Sequence, residues 1–278
     1  MTSITIMGAG GKMGYRISTN LRNKGYHLRH VEVSESGRAR LAAEGIECVA
    51  QDEALRDAEV VILAVPDSLI GKVSHAIASR LTSGVMLIAL DAAAPFAGEF
   101  PARPDLVYFV AHPCHPPIFN EETSVAGKRD YFGGLAARQH IVCALMQGPD
   151  AAYAQGEEIA RAMYAPVMRS HRVTVEQMAI LEPVLSETVG ATCVAIIREA
   201  MDEAIRRGVP PQAAQDFIEG HLTIEIAILF GHLPGAQFSD AAKRAIESAK
   251  RSLFQPDWKK VFEPDAVAQS IMQITRAG

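Results

Sequence analysis

Apolar residues in the first half of the chain cluster in short runs divided by polar and glycine-rich stretches. That alternation of strand-like and helix-like segments predicts an α/β domain with a parallel sheet. Ile4 to Met7 is a β-rich run that stops at Gly8, and Lys12 to Asn23 reads as a helix ending near Gly25. A second strand covers Leu28 to Val33. Val60 to Val65 is continuously apolar, as a strand buried on both faces must be, and Pro66 ends it. Val85 to Leu90 and Leu106 to Ala111 repeat the pattern, each running into a loop. His140 to Gln147 is a further strand candidate, Ala151 to Tyr164 a helix, and Val167 to Val173 a last strand.

From Thr174 the period changes. Helical spacing persists through the rest of the chain, with stops at Gly208-Val-Pro-Pro, at Gly231 to Gly235 and at Phe254 to Asp257. Thr174 followed by Gln177 resembles a capping box. Val175 to Arg207 then reads as one very long helix interrupted only by Pro183, where a kink or break is expected. One small domain cannot cover every face of so long and apolar a helix. Together with the apolar face of Leu222 to Phe230, it predicts a homodimer built on the helical region.

Gly8-Ala9-Gly10-Gly11-Lys12-Met13-Gly14 lies directly between the first strand and the helix that follows. Glycine is needed where such a turn is tight and where backbone must approach a pyrophosphate, and the helix start supplies free N–H groups and a favourable dipole. The fold class is therefore a Rossmann doubly wound parallel sheet over residues 1–173, followed by an all-helical substrate and dimerisation domain over 174–278. In such folds an acidic residue at the end of strand two binds the adenosine ribose and repels a 2′-phosphate. Glu32 stands in that place, which points to NAD, although Arg38 and Arg40 nearby would suit NADP instead. Val65-Pro66-Asp67 follows the next buried strand and is expected to touch the middle of the cofactor; a plain strand-to-loop transition is the alternative for Asp67.

Composition narrows the setting. With 278 residues the chain is long enough for two cores, and its net charge of -5 speaks against nucleic-acid or membrane-surface partners. Cys48, Cys114, Cys143 and Cys193 are far apart and form no CxxC pair, which argues against a zinc ribbon or disulfide framework and fits a reducing cytoplasm. No segment is read as reaching the roughly 20 apolar residues that span a bilayer. A soluble cytoplasmic protein is expected.

Ala111-His112-Pro113-Cys114-His115-Pro116-Pro117 begins where a buried strand ends, near the expected nicotinamide. A histidine there can take the proton from a substrate hydroxyl as hydride leaves, or bind a metal. His112 is the first candidate and His115 the second; the alternative for each is a structural, hydrogen-bonded side chain. Glu182 precedes Pro183, with Ser186, Val189 and Gly190 on its face at α-helical spacing, which suggests a ligand-facing groove. The alternative is an exposed glutamate on a solvated face. His221 and Glu225 are spaced to chelate a metal, but an incidental surface pair explains them as well.

The whole chain resembles the phosphogluconate and β-hydroxyacid dehydrogenase superfamily. It lacks the Lys-x-x-x-Asn pattern of β-hydroxyacid dehydrogenases; Glu182 stands near where that lysine is expected. His112-Pro113 is similar to the His-Pro loop of prephenate dehydrogenases. The GAGGKMG, AHPCHPP and ILEPVLSETVG segments together resemble the D-apionate oxidoisomerase family. That resemblance implies NAD-dependent oxidation of a branched sugar acid to a 2-oxo acid, then migration of a hydroxymethyl group from carbon three to carbon two, giving 3-oxo-isoapionate. Such an α-ketol rearrangement needs an electrophile on the ketone and a base for the tertiary alcohol, which a divalent metal supplies. His112 and Glu182 are the expected ligands, catalytic as well as metal-binding, and their nitrogen and oxygen donors suit zinc or another first-row ion. Two rivals remain at this point: a plain NAD-dependent hydroxy-acid dehydrogenase with His112 as base and no metal, and an NAD-binding redox sensor.

Overall fold

The computed structural model describes residues 1–276. The α/β region runs β1 (Ser3–Met7), α1 (Lys12–Leu21), β2 (His27–Val31), α2 (Glu35–Ala43), α3 (Gln51–Leu55), β3 (Val60–Leu63) and α4 (Asp67–Ala78). It continues through β4 (Met86–Ala89), α5 (Ala93–Phe96), β5 (Val107–Pro113), α6 (Val125–Arg129), β6 (Gln139–Gln147), α7 (Ala152–Met163) and β7 (Val167–Arg172). The helical region contains α8 (Val175–Ala179), a π-helix (Ile180–Ala191), α9 (Thr192–Arg206), α10 (Pro211–Leu229), α11 (Asp240–Leu253), a 3₁₀ turn (Trp258–Phe262) and α12 (Pro264–Arg276).

The strands form one sheet in the order β2-β1-β3-β4-β5-β6-β7. Successive side chains of a strand point to opposite faces, so the sheet builds two apolar layers. Val61, Leu63, Leu87 and Val110 pack with Ile70 and Ile77 of α4, whereas Ile4, Ile6, Ile62 and Phe109 pack with Ile17 of α1 and Ile159 of α7. Each fully buried aliphatic side chain contributes about 1.5–3 kcal/mol, which explains why β1, β3 and β4 are apolar apart from Ser3 and the internally bonded Thr5.

The first five strands are parallel, as expected. β6 is not. It runs antiparallel to β5, and β7 lies parallel to β6. The cause is in the connection: parallel neighbours need a crossover, usually a helix, and residues 114–138 hold only the short α6.

The capping box is present: Gln177 N donates to Thr174 Oγ1 (3.2 Å), and Thr174 N donates to Gln177 Oε1 (3.0 Å). Pro183 produces no sharp break. The chain instead widens into the π-helix around it, because a proline ring clashes with the preceding turn of an α-helix and an i→i+5 turn leaves it room. Residues at i+4, i+7 and i+8 therefore no longer share one face, and Ser186 is exposed while Val189 and Gly190 are half-buried. By length and composition the helix Val175–Arg206 is apolar enough to cross a membrane, with an 18-residue stretch of mean hydropathy 1.6. This corrects the expectation that no segment has that character. Glu182 and Glu187 interrupt a consecutive count of apolar residues, but an average along the helix tolerates them.

Packing divides the described chain into two compact units, one comprising Met1–Pro183 with the C-terminal helix from Ala268, the other Val184–Val267. The division falls later than the change of period at Thr174, because Val175 and Met178 of α8 pack into the sheet's own core. In the second unit, α9 and α11 have no buried residue and α10 has one, Ala214.

Candidate active site

The glycine loop joins β1 to α1, and Gly11 is the residue before the first helical turn. Gly8 N and Ala9 N donate to Val31 O, tying the loop to the end of β2. Two glycines are demanded by close approach: a Cβ on Gly10 would lie 2.5 Å from Gly37, and one on Gly14 would lie 2.1 Å from Gly8 O. Gly10 thus serves packing of the loop against α2, while Gly8 and Gly11 line the approach to the helix start. Met13 packs its side chain on the sheet core. Lys12 places its ammonium 3.2 Å above the Phe132 ring.

Glu32 is buried, at 7% exposure. Its carboxylate accepts from Gly10 N and Ser34 N, both at 2.8 Å. Burial raises its pKa, but these backbone donors outweigh that effect and hold it below the usual carboxylate range. Beyond the ribose role read from the sequence, Glu32 therefore shapes the glycine loop itself, with lone pairs left for hydroxyl donors. Arg38 donates to the Glu32 carbonyl and Arg40 to the Gly10 carbonyl, so both guanidinium groups brace the loop. A cavity of about 720 Å³ beside Glu32 is lined by Arg38, Ile46, Cys48 and Val49, and its size suits a nucleoside.

The second cluster sits at the carboxyl ends of β3, β4 and β5. His112, next to last in β5, faces Leu90 O with Nδ1 at 2.8 Å; the carbonyl can only accept, so Nδ1 carries hydrogen. Nε2 then faces Glu182 Oε2 at 3.3 Å, while Asp91 Oδ2 lies 3.8 Å from Nδ1. Burial alone would lower the imidazole pKa. The hydrogen bond and charge of Glu182, the Asp91 charge and the Leu90 carbonyl overcome it and raise the value to about 9. Glu182 is depressed in turn, chiefly by its hydrogen bond to His112. The pair holds a proton.

Asp91 was not legible as a site residue, although its position just past the apolar run 85–90 matches that of His112 after its own strand. It is buried, accepts from Ala93 N at 2.6 Å, and burial raises its pKa. Asp67 is the first residue of α4 rather than a loop residue, with Pro66 before it and Val65 beside the glycine loop. Burial, then the charges of Asp91 and Glu182, push Asp67 up to about 6 against the pull of His112. It belongs electrostatically with the histidine cluster. His115 adopts a left-handed backbone, φ +59°, and its Nδ1 meets Phe132 O at 2.9 Å. His221 stacks on Phe217 and meets its carbonyl, which makes it a helix-surface residue. Among the described residues, no three His, Cys, Asp or Glu side chains converge as a metal-binding group; His112 and Glu182 meet as a pair.

Residues 3–94 match the family of NADP oxidoreductases that are coenzyme F420-dependent, and residues 120–275 match the phosphogluconate dehydrogenase (decarboxylating) C-terminal family. The chain is 59% identical over 276 residues to the D-apionate oxidoisomerase of Rhizobium rhizogenes, covering 99% of this chain and 100% of that protein. It is 56% identical over 273 residues to the enzyme of that name from Cupriavidus necator, covering 98% and 99%. The chain belongs to the D-apionate oxidoisomerase family. It is accordingly an oxidoreductase. A crystal structure described as a semialdehyde dehydrogenase NAD-binding protein from Cupriavidus necator, in complex with calcium and NAD, superposes on it with TM-score 0.97 at 56% identity. That alignment covers 99% of this chain and 100% of the other. The Rossmann unit of this oxidoisomerase-family chain thus carries both clusters that the sequence singled out, the glycine loop with Glu32 and the histidine loop with Glu182.

Proposed function

We propose that this enzyme oxidises D-apionate with NAD and rearranges the carbon skeleton to 3-oxo-isoapionate. The observation that carries the reading is the His112–Glu182 contact of 3.3 Å, in a chain of this family, at the strand ends where a Rossmann cofactor presents its nicotinamide. NAD is preferred because Glu32 would meet the ribose hydroxyls while Arg38 and Arg40 are already bound to backbone carbonyls. Gly8, Gly11, Lys12 and the first N–H groups of α1 would hold the pyrophosphate, with Val65 and Pro66 alongside it.

In the first step, C2 of the substrate gives hydride to NAD and its hydroxyl proton passes to His112. The imidazole must first lose the proton it shares with Glu182, and the positive charge of oxidised nicotinamide favours the neutral ring. In the second step, the tertiary hydroxyl at C3 loses its proton, the hydroxymethyl group moves with its bonding pair to C2, and C3 becomes the ketone. The C2 oxygen then takes a proton, so the skeleton changes without further oxidation. His112 Nε2 and a Glu182 oxygen are spaced to share a divalent ion, zinc or another first-row metal; held that way, Nε2 would be a ligand rather than the base, and the hydroxyl proton would leave to water. When bound, that ion would polarise the ketone and lower the pKa of the tertiary alcohol. The direct imidazole–carboxylate contact also supports a second reading, a plain dehydrogenase that stops at the 2-oxo acid.

The helical region from 174 onward is proposed as the substrate and dimerisation domain after the dinucleotide-binding residues 1–173. A second copy would cover the exposed Phe217, Leu229 and Phe230. The setting is proposed to be the cytoplasm. The deciding experiment supplies NAD and carbon-labelled D-apionate, then follows NADH and the product skeleton by NMR. NADH with 3-oxo-isoapionate is expected; an unrearranged 2-oxo acid selects the plain dehydrogenase, and no NADH overturns both. Stripping with a chelator, or Glu182→Gln, should abolish rearrangement and leave NADH binding within about threefold. Full activity after stripping would refute the metal.

A further inference from the structure

Residues 130–134 form a strap fixed onto α1. Asn20 Nδ2 donates to Gly134 O at 2.6 Å, and Arg16 Nε donates to Gly133 O at 3.3 Å. Asp130 accepts from the backbone of Leu135, Ala136 and Ala137, and its carboxylate lies 3.7 Å from Arg16. With the backbone on both sides held this firmly, one would expect Phe132 to bury its ring. It is 43% exposed instead. Its two faces of chemistry go to two different sites: the ring lies under the Lys12 ammonium at 3.2 Å, and the carbonyl holds His115 Nδ1 at 2.9 Å. The His115 ring meets Phe132 edge-on at 5.8 Å and His112 edge-on at 6.4 Å. His115 keeps a left-handed backbone conformation that non-glycine residues rarely adopt, so its placement is enforced by these contacts.

We propose that Phe132 is a positioning residue that couples the cofactor loop to the substrate site through Lys12 on one side and His115 on the other. Lys12 opens α1, where helix dipole and free N–H groups attract a diphosphate. An ammonium resting on a ring keeps its opposite side free, so a bound diphosphate sandwiches it and strengthens the hold on the ring by excluding water. The Phe132 carbonyl then fixes the His115 tautomer with Nε2 as acceptor, available to a substrate hydroxyl donor. Cofactor and sugar acid therefore assist each other's binding, by the same factor in either order. The proposal rests on the oxidoisomerase reading only for the identity of the substrate.

The test uses NADH, which cannot react with the hydroxy acid, and the imidazole NMR signals of the full chain, with the His115 signal assigned through His115→Gln. In the unaltered protein, saturating NADH shifts the His115 signal. In Phe132→Ala, which removes the ring under Lys12, NADH still binds and the shift is lost; Phe132→Tyr, which returns the ring while the main-chain carbonyl is kept in both variants, restores it. D-apionate should tighten NADH binding severalfold in the unaltered protein and less than about twofold in Phe132→Ala, whose KM for D-apionate rises about tenfold while kcat falls much less. A His115 signal that ignores NADH, or that responds equally in Phe132→Ala, overturns the proposal. If D-apionate neither binds nor reacts, the functional reading fails and the NADH response alone decides the coupling.

Discussion

The two compact units solve the problem of burial in opposite ways. In the first, β1, β3 and β4 are buried along their whole length, with helices packed on both faces of the sheet. In the second, α9 and α11 bury nothing, and an apolar cavity of about 450 Å³ opens along α9 and α10, lined by Met201, Ala204, Phe217 and Ile218. Isolated helices draw little stability from propensity and need an amphipathic face covered. The sheet of the α/β unit is covered by its own helices, whereas the helical unit leaves open the apolar faces that the proposed second copy would cover.

The largest effect should come from overfilling the α/β unit. Gly14→Ala drives a methyl group into Gly8 O, which would cost about 3 kcal/mol and weaken NADH binding at least about a hundredfold. Titration and thermal unfolding measure both; an affinity within threefold would mean that the loop is looser than its packing implies. Next comes the helical unit. Light scattering of the unaltered protein should give a dimer at micromolar concentration, and Leu229→Asp, at a side chain now 68% exposed, should weaken the dimer on the order of a hundredfold. An unaltered protein that is monomeric removes the comparison altogether.

The smallest effect is electrostatic and belongs to the first unit alone. The folded-state pKa of His112 is raised from 6.5 to about 9, so the stabilisation is complete below pH 6.5 and is lost as pH rises through 9. Glu182 is lowered from 4.5, so its share is present above pH 4.5 and lost as pH falls through its depressed value. In metal-stripped protein, Glu182→Gln should reduce unfolding stability by on the order of 1 kcal/mol between about pH 4.5 and 6.5, and by less and less toward pH 9. A difference that grows with pH would contradict the pairing.

What the sequence disclosed follows the same division. Strands buried on both faces announce themselves as apolar runs, so 60–63 and 86–89 were legible to within two residues at each end. The capping box and the glycine loop depend on neighbours in the chain and were equally plain. The reversal of β6 depends on the absence of a long crossover helix within 114–138, a negative signal that apolar spacing does not report. Pro183 was correctly marked as a disturbance, but a kink and a widened turn leave the same trace in one sequence. Among the candidate site residues, His112 was singled out by its place at the end of a buried strand and Glu182 by Pro183 within an apolar helix pattern. Asp91 and Phe132 were not singled out, since what they approach, His112 for Asp91 and Lys12 and His115 for Phe132, meets them only in space.

The reversal of β6 has a bearing on where the chain can change in length. Because β5 and β6 are antiparallel, Pro113 pairs with Ile141 and Cys114 N reaches His140 O, so the segment between them leaves and returns at the same end of the sheet. A parallel connection would have to travel to the far end and back. Residues 114–138 are instead a cassette clipped into the ladder at both ends, where doubling the length costs only about 0.6 kcal/mol of closure entropy. A change of length there that spares residues 130–134, which are bonded to α1, would leave the nucleotide scaffold as it is.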